Sequence, residues 1–243
     1  MRKFSVDFHV HTSHSFDSLT PPKLAIEVAR RRGLDGIAVT DHNTVAGGIA
    51  AFEANRYDDF LVIPGIEVKS DLGDIIGLYV AREVKSRSFA DVISELHDQG
   101  AIAYLPHPIR TFGVEHVDGI FSAYPEIDLW ERYNGRYDAT ESAYAEDAFA
   151  RLGIAGGLCG SDAHFPWEIG LLHTDLLELP RDARTLMEQH TRARLHAPIR
   201  SDLPRRAGLR MGALIKMIKL RQYGRLAKLP SRLSHRLLQS VRR

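Results

Sequence analysis

Short apolar runs alternate with longer amphipathic stretches along the first 200 residues of the chain. Runs such as FSVDFHV, GIAVT and AIAYL are typical of buried strands, whereas PKLAIEVARRR and FADVISELHDQ have apolar residues at helical spacing. Gly33 and Gly100 follow these two stretches and indicate where the helices end. Strand–helix alternation repeated about seven times predicts an α/β fold with a parallel sheet, either open or closed into a barrel.

The same pattern predicts the remaining elements and a boundary near residue 202. Further strands are expected at residues 60–68, 74–80, 128–133 and 156–160, and further helices at residues 45–55, 142–152 and 182–190. We predict one domain over residues 1–202, because no long linker or internal repeat interrupts the alternation there. Residues 203–243 form a separate segment, which we call the basic tail.

The basic tail differs from the rest of the chain in charge. The chain has 32 basic and 31 acidic residues, a formal net charge of +1. The tail holds 12 of the basic residues and none of the acidic ones, which leaves a net charge of −11 on residues 1–202. Its apolar residues, Met211, Leu214, Ile215 and Ile218 among them, share a helical face. Such a helical tail either lies on an anionic membrane surface, contacts nucleic acid, or packs its apolar stripe on the domain.

Composition limits the cellular setting. Hydrophobic residues make up 44% and charged residues 26% of the chain, as in ordinary globular proteins. The single cysteine, Cys159, excludes an intramolecular disulfide and a thiolate zinc cluster, and we expect it to be a small core residue. The N-terminus does not resemble a signal peptide, and no stretch approaches about 18 apolar residues. We therefore expect no transmembrane segment and a cytoplasmic, or membrane-peripheral, location.

Histidine and carboxylate side chains follow the ends of the predicted strands. His9 and His11 are two residues apart in a strand and therefore point to the same face. The carboxyl ends of strands are where barrels and doubly wound sheets place their sites. The candidate residues at these ends are His9, His11, Asp17, His42, Glu67, His107, Asp162 and His164.

These eight residues offer nitrogen and oxygen ligands without sulfur, which suits two or three Zn, Mn or Fe ions. Taken one at a time, each has an ordinary explanation as a hydrogen-bonded or surface residue. As a set they are harder to explain, because burying many ionisable groups together costs several kcal/mol per ion unless cations compensate them. The set therefore predicts a metal centre.

The motifs DFHVHTSHSFDS, AVTDHNT, PGIEV, PHPIR and GSDAH, in this order over roughly residues 4–175, resemble the PHP (polymerase and histidinol phosphatase) family of metal-dependent phosphoesterases. The resemblance implies a distorted TIM-like (β/α)7 barrel with up to three ions at its C-terminal mouth. It implies that His9 and His11 hold one ion and that Glu67 bridges to a second. The other implied ligands are His42 and His107 at the second ion, Asp17 at a third, and Asp162 and His164 closing the cluster.

The chain departs from the family pattern after Glu67, where many relatives have a histidine and this chain has Asp74. Asp74 either replaces that ligand or is a solvent-exposed turn residue, and both interpretations stay open. Asp41 is expected to orient an imidazole or to stabilise its loop. His14 is expected at the rim of the pocket.

The resemblance also leads to a catalytic hypothesis. A metal-bridging hydroxide, with Glu67 at the bridge, would attack phosphorus, and His164 or His42 would protonate the leaving oxygen. Arg110 and Arg136 follow strand ends and could bind phosphate oxygens in a bidentate way, although a surface salt bridge explains an arginine equally well.

Three functions stay open at this point. The first is hydrolysis of a small phosphomonoester, a nucleotide or the end of a short oligonucleotide. The second is an amidohydrolase-like attack on C–N or C–O bonds, but that group often has a carboxylated lysine at a strand end, and the nearest lysine here, Lys69, lies beyond GIEV. The third is a non-catalytic, metal-stabilised scaffold that the basic tail attaches to a membrane or to nucleic acid.

Overall fold

The computed structural model describes residues 2–197, 211–212 and 214–219. Most of the basic tail, and with it most of the prediction for that segment, lies outside the described residues. The strands are β1 (Phe4–Val10), β2 (Gly36–Val39), β3 (Leu61–Lys69), β4 (Asp74–Leu78), β5 (Ile102–Leu105), β6 (Leu129–Asn134), β7 (Leu158–Gly160), β8 (His173–Leu176) and β9 (Arg194–His196). The helices are α1 (Pro22–Arg31), α2 (Ala46–Ala54), α3 (Phe89–His97), α4 (Pro108–Phe112), α5 (Val117–Ala123), α6 (Ala139–Arg151) and α7 (Ala183–Gln189).

Within the described residues the strands form one sheet in the order β7-β6-β5-β4-β3-β2-β1-β8-β9. The sheet curves until β7 lies beside β1. At this seam the backbone N–H of His11 donates to the carbonyl oxygen of Ala163 at 2.8 Å, and Val10 forms a parallel bridge with Ala163. The molecule is therefore an α/β fold with a nearly closed, barrel-shaped sheet, which confirms the predicted fold class.

The prediction of a parallel sheet is only partly right. Strands β1, β2 and β3 are parallel, as are β5, β6 and β7, but β4 is antiparallel to both of its neighbours. The cause is the short connection at residues 70–73, where the N–H of Ser70 donates to the carbonyl oxygen of Gly73 at 3.0 Å. A turn this tight can join antiparallel strands but leaves no room for a crossover helix.

Helices α1, α2 and α3 pack on the sheet through two apolar clusters and leave the strand ends free. Helices α1 and α2 cover β1–β3 with Ile26 and Ala51 against Val39 and Val62. Helix α3 covers β3–β5 through residues such as Leu96. Cys159 is fully buried, as predicted for a core residue. Among the described residues, no helix combines the length and apolarity needed to cross a membrane.

Candidate metal centre

Loops at one end of the barrel carry the predicted ligands. His9 is the last residue but one of β1 and His11 follows the strand, Glu67 lies within β3, His107 follows β5, and Asp162 follows β7. His107 (φ 33°) and Asp162 (φ 51°) have left-handed backbone, which is uncommon for residues with a Cβ. Both turns bring side chains back over the barrel end, so local strain is concentrated at the candidate ligands.

Glu67 is the centre of the cluster. Its side chain is 1% exposed, and its Oε2 lies 3.0 Å from His42 Nδ1, 3.3 Å from His11 Nε2 and 3.6 Å from His9 Nε2. Its Oε1 lies 3.2 Å from His107 Nε2. Four imidazoles thus surround one carboxylate, so Glu67 is placed to bridge more than one ion.

Three overlapping groups of ligand atoms could each hold a metal ion, with the atoms of each group within 4.8 Å of one another. Glu67 belongs to two of these groups and His11 also to two. The groups are His9 with His11 and Glu67, Glu67 with Asp74 and His107, and His11 with His42 and His164. We call these the first, second and third subsites, and together the metal centre.

The carboxylates of Asp17 and Asp162 complete the outer part of the centre. Asp17 lies 3.3 Å from His164 Nε2 and 3.5 Å from His42 Nε2, which places it at the third subsite. Asp162 Oδ1 lies 3.5 Å from His11 Nε2 and 3.8 Å from His9 Nε2, near the first subsite. All eight predicted ligands therefore come together, and Asp74 joins them.

The assignment of the ligands to the three subsites differs in one respect from the arrangement that the family resemblance implies. His42 groups with His11 and His164 rather than with His107, and Asp74 takes the place beside His107. The reason is the antiparallel β4, which begins at Asp74 and pairs with the end of β3, so that the Asp74 carboxyl faces Glu67 and His107. Burial and the nearby Glu67 charge raise the pKa of Asp74.

The residues present fit divalent cations. In the described part of the chain, Glu67 Oε2 and Asp17 Oδ1 are buried without a hydrogen bond of good geometry. Burial alone would raise the pKa of Glu67, but the charges of His42 and His9 lower it well below its usual range. Burial, together with His164 and His42, lowers the pKa of His11 to about 4, so its imidazole is neutral near pH 7. Carboxylate oxygens beside imidazole nitrogens, of which His11 is neutral, are the donor types of Zn, Mn and Fe sites.

Hydrogen bonds at the far ring nitrogens orient three imidazoles. Glu131 Oε1 lies 3.1 Å from His9 Nδ1, Ser15 Oγ lies 3.0 Å from His11 Nδ1, and Thr111 Oγ1 lies 2.9 Å from His107 Nδ1. The Glu131 carboxylate can only accept, so Nδ1 of His9 donates its proton to it and Nε2 is the nitrogen that faces the other ligands.

Sequence analysis missed Glu131, Ser15 and Thr111. Ser15 and Thr111 each lie four residues after the histidine they contact, and this spacing is a signal that could have found them. Glu131 lies 122 residues from His9 and had no such local signal.

Asp41 stabilises its loop, in the role that the sequence suggested. It accepts hydrogen bonds from the N–H and the hydroxyl of Thr12, both at 2.6 Å, and from the hydroxyl of Ser15 at 2.7 Å. The same Ser15 oxygen accepts the N–H of His42 at 3.0 Å. Asp41 therefore links the loops after β1 and β2. His14 is exposed, beside this loop.

The two predicted phosphate-binding arginines lie differently. Arg136 is 5% exposed, and its guanidinium donates to the Asp162 carbonyl, to Glu168 and to Nδ1 of His164. Its Nη1 is buried and has no hydrogen-bond partner in the described residues. Arg110 instead forms an ion pair with Glu141 at 2.9 Å and donates to the carbonyl of Arg136. Arg136 thus supports the ligands directly, whereas Arg110 lies outside them.

The sequence profile of the PHP domain matches residues 7–154. An uncharacterized protein of Methanocaldococcus jannaschii is 32% identical over 139 residues, which cover 53% of this chain and 80% of that protein. Two solved structures share the fold. One, from Bacteroides vulgatus, is a two-domain protein containing a predicted PHP-like metal-dependent phosphoesterase (TM-score 0.66, 18% identity, 81% of this chain and 65% of that chain). The other is the novel lesion-specific endonuclease PfuEndoQ from Pyrococcus furiosus (TM-score 0.59, 12% identity, 80% and 58%).

The profile match covers more than half of the chain and includes four of the five motifs that carried the resemblance. The fifth motif, GSDAH, lies beyond the match, but the structure brings its Asp162 and His164 into the same cluster. The two solved structures, at identities below 25%, agree with this chain in fold. The chain therefore belongs to the PHP domain family.

Proposed function

We propose that the protein hydrolyses a phosphate ester with two or three divalent ions, Zn, Mn or Fe, held by the metal centre. The observation that carries the proposal is the Glu67 carboxylate, shared by two subsites and surrounded by four imidazoles. Ions held there would neutralise ester oxygens and lower the pKa of a water to near 7, so that it can act as the nucleophile. The chemistry requires no side-chain nucleophile, and the Ser15 hydroxyl beside His11 is fully buried and donates to Asp41.

The outer residues of the centre are the ones that a substrate would meet. The side chains of His42, His164 and Asp17 are 16%, 11% and 15% exposed, whereas those of His9 and His11 are at most 1% exposed. His107 of the second subsite is 12% exposed, so an ester meets the second and third subsites before the first. His164 and His42 are our candidates to pass a proton to the leaving oxygen, and Glu67 holds the ions on which the nucleophile depends.

The size of the mouth favours a small or terminal phosphate. Between Glu67 and His107 the chain is occupied by β4, α3 and β5, which leaves no inserted domain over the site. We propose a phosphomonoester, a nucleotide or the end of a short oligonucleotide as substrate. Because PfuEndoQ, which shares the fold, is a lesion-specific endonuclease, an oligonucleotide with internal phosphodiester bonds also belongs in the substrate panel.

Hydrolysis assays with the purified protein test this function. We expect Mn²⁺- or Zn²⁺-loaded protein to hydrolyse p-nitrophenyl phosphate or its bis ester, and a chelator to abolish the activity, because the nucleophile and the charge neutralisation both depend on the ions. An amide substrate serves as the comparison. Hydrolysis of the amide alone would favour the amidohydrolase alternative, and a metal-replete protein inactive on the whole panel would favour a scaffold.

We propose that Arg110 and Arg136 bind phosphate oxygens. For Arg110, a substitution of its ion-pair partner Glu141 provides a matched comparison. We expect Arg110→Ala to raise KM for a phosphate ester several-fold, since a lost charge-assisted contact weakens substrate binding, while metal content stays unchanged. Glu141→Gln removes the negative charge beside Arg110 but keeps an acceptor for the backbone N–H at the start of α6, so KM should stay the same or fall. Equal effects of the two substitutions would instead show that the pair is only structural.

A further inference from the structure

The loop after β1, which carries Asp17, has three carbonyl groups aimed at one point. Nζ of Lys219 occupies that point and donates to the carbonyl oxygens of Ser13 at 2.9 Å, Ser15 at 2.7 Å and Ser18 at 2.7 Å. An ammonium group has three N–H donors and no acceptor. All three donors of Lys219 are therefore used, and all of them on a loop about 200 residues earlier in the chain.

Two further contacts, together with the burial of one apolar side chain, show that the helical residues at 211–212 and 214–219 pack against the same loop. Nζ of Lys216 lies 4.4 Å from the ring centroid of Phe16. The backbone at Gly212 passes so close to the Asp17 carbonyl that an added Cβ would lie 3.7 Å from it. Ile215 is 7% exposed. We call these helical residues the C-terminal helical segment.

The loop residues that this segment contacts are those that build the third subsite. Asp17 lies between Ser15 and Ser18, two of the residues whose carbonyls Lys219 binds, and its carboxylate reaches His42 and His164. Phe16 stacks on the imidazole of His42, with ring centroids 4.6 Å apart and planes 7° apart. The first and second subsites have no member on this loop other than His11 at its start.

We propose that Lys219 is a positioning residue for the third subsite: it holds the loop that carries Asp17 and Phe16, so that the tail of the chain completes this subsite and does not affect the second, which has no residue on the loop. The inference rests on the proposed metal centre and goes beyond it, because it assigns a role to residues outside the family motifs. Lys216 acts in the same direction through Phe16 and the His42 ring.

Metal titration of the full-length protein with Mn²⁺ tests the proposal. We expect Lys219→Met to weaken binding of the ion at the third subsite by ~10- to 100-fold, the cost of losing a group that orients a ligand, and to leave the affinity of the second subsite unchanged. Lys216→Met should weaken the same ion by a smaller factor. Lys23→Met, at an exposed lysine of α1, is the matched control and should change nothing.

A double-substitution cycle separates positioning from general destabilisation. Asp17→Asn should weaken binding of the same ion as Lys219→Met. The protein with both substitutions should have the Mn²⁺ affinity of Asp17→Asn alone, since Lys219 acts through Asp17. In Lys219→Cys, alkylation with 2-bromoethylamine rebuilds a side chain that ends in an ammonium group. This treatment should restore the affinity for the ion. Wild-type protein treated in the same way controls for alkylation of Cys159.

Several outcomes overturn the inference. They are unchanged affinities in Lys219→Met, equal weakening of every ion together with a lower melting temperature, or additive effects of the Asp17 and Lys219 substitutions. If Lys219→Met does not fold, Lys216→Met serves as the test. An unchanged Mn²⁺ affinity of the third subsite in that variant would also overturn the inference. Wild-type protein that takes up no Mn²⁺ and no Zn²⁺ would overturn the proposed function and the inference together, whereas normal uptake in all variants overturns the inference alone.

Discussion

Replacing Glu67 with glutamine should lower kcat/KM for a phosphate ester by roughly 10³-fold or more, because the charge stabilisation that bound cations provide is worth several kcal/mol. Glutamine has the same size, but it is neutral and has one oxygen in place of two. Glu67 Oε1 faces His107 and Oε2 faces His9, His11 and His42. An amide group at this position would turn an N–H₂ toward some of these imidazoles, so the first and second subsites would both lose their shared ligand.

Elemental analysis should show the same loss directly. We expect Glu67→Gln to retain the third subsite, which does not include Glu67, and to lose the ions of the other two. Glu53→Gln, at an exposed position of α2, removes one carboxylate charge elsewhere and should keep full activity and metal content. A Glu67→Gln protein with wild-type metal content and activity would show that the carboxylate bridges no ions.

The fold class and the members of the metal centre could be predicted because their signals are local. Each apolar run marks a strand, and each of His9, Glu67 and His107 lies at or just past the end of one. The carboxyl ends of barrel strands meet at one end of the sheet, so residues far apart in the sequence can be expected to converge. The family resemblance added the order of the motifs, and the profile match confirmed it.

Features that depend on long-range contacts could not be predicted in this way. The direction of β4 depends on a four-residue turn, and the strand itself is as apolar as the parallel strands of the sheet. Glu131 looks like an outward-facing residue in LWERYN, yet it is fully buried and accepts hydrogen bonds from the N–H of His107 and from Asn134. The close approach of β7 to β1 needs Gly160, because a Cβ there would collide with His9 and Glu131. Glu131 thus depends on His107, and Gly160 on His9, and neither pair is close in sequence.

The seam between β1 and β7 also depends on a buried carboxylate that the apolar pattern concealed. Asp7 lies within FSVDFHV and is fully buried. It accepts hydrogen bonds from the N–H of Ser161 at 2.9 Å, the hydroxyl of Ser161 at 2.5 Å, and the N–H of Gly170 at 2.8 Å. Burial raises the pKa of Asp7 to about 6, although these hydrogen bonds oppose the shift. A side chain therefore closes the barrel where the strands themselves make few hydrogen bonds.

Replacing Asp7 with alanine should lower the free energy of unfolding by about 3–5 kcal/mol, since each buried donor left without a partner costs about 1–3 kcal/mol. The estimate stays below the full sum because the Ser161 hydroxyl can turn toward the carbonyl of His9, which lies 3.5 Å away. Denaturant unfolding of the metal-free protein measures this loss as a lower midpoint. Asp58→Ala, at an exposed residue, is the control and should leave the midpoint unchanged.

Asp7→Ala should also change the metal affinity of the first subsite. The loop after β7 carries Asp162 next to Ser161, and the Ser161 contacts to Asp7 fix that loop against β1, which carries His9. We therefore expect Asp7→Ala to weaken the first subsite as well as the fold, and Asp7→Asn, which keeps one acceptor oxygen, to have intermediate effects on both. An Asp7→Ala protein with an unchanged unfolding midpoint would mean that backbone contacts alone close the barrel.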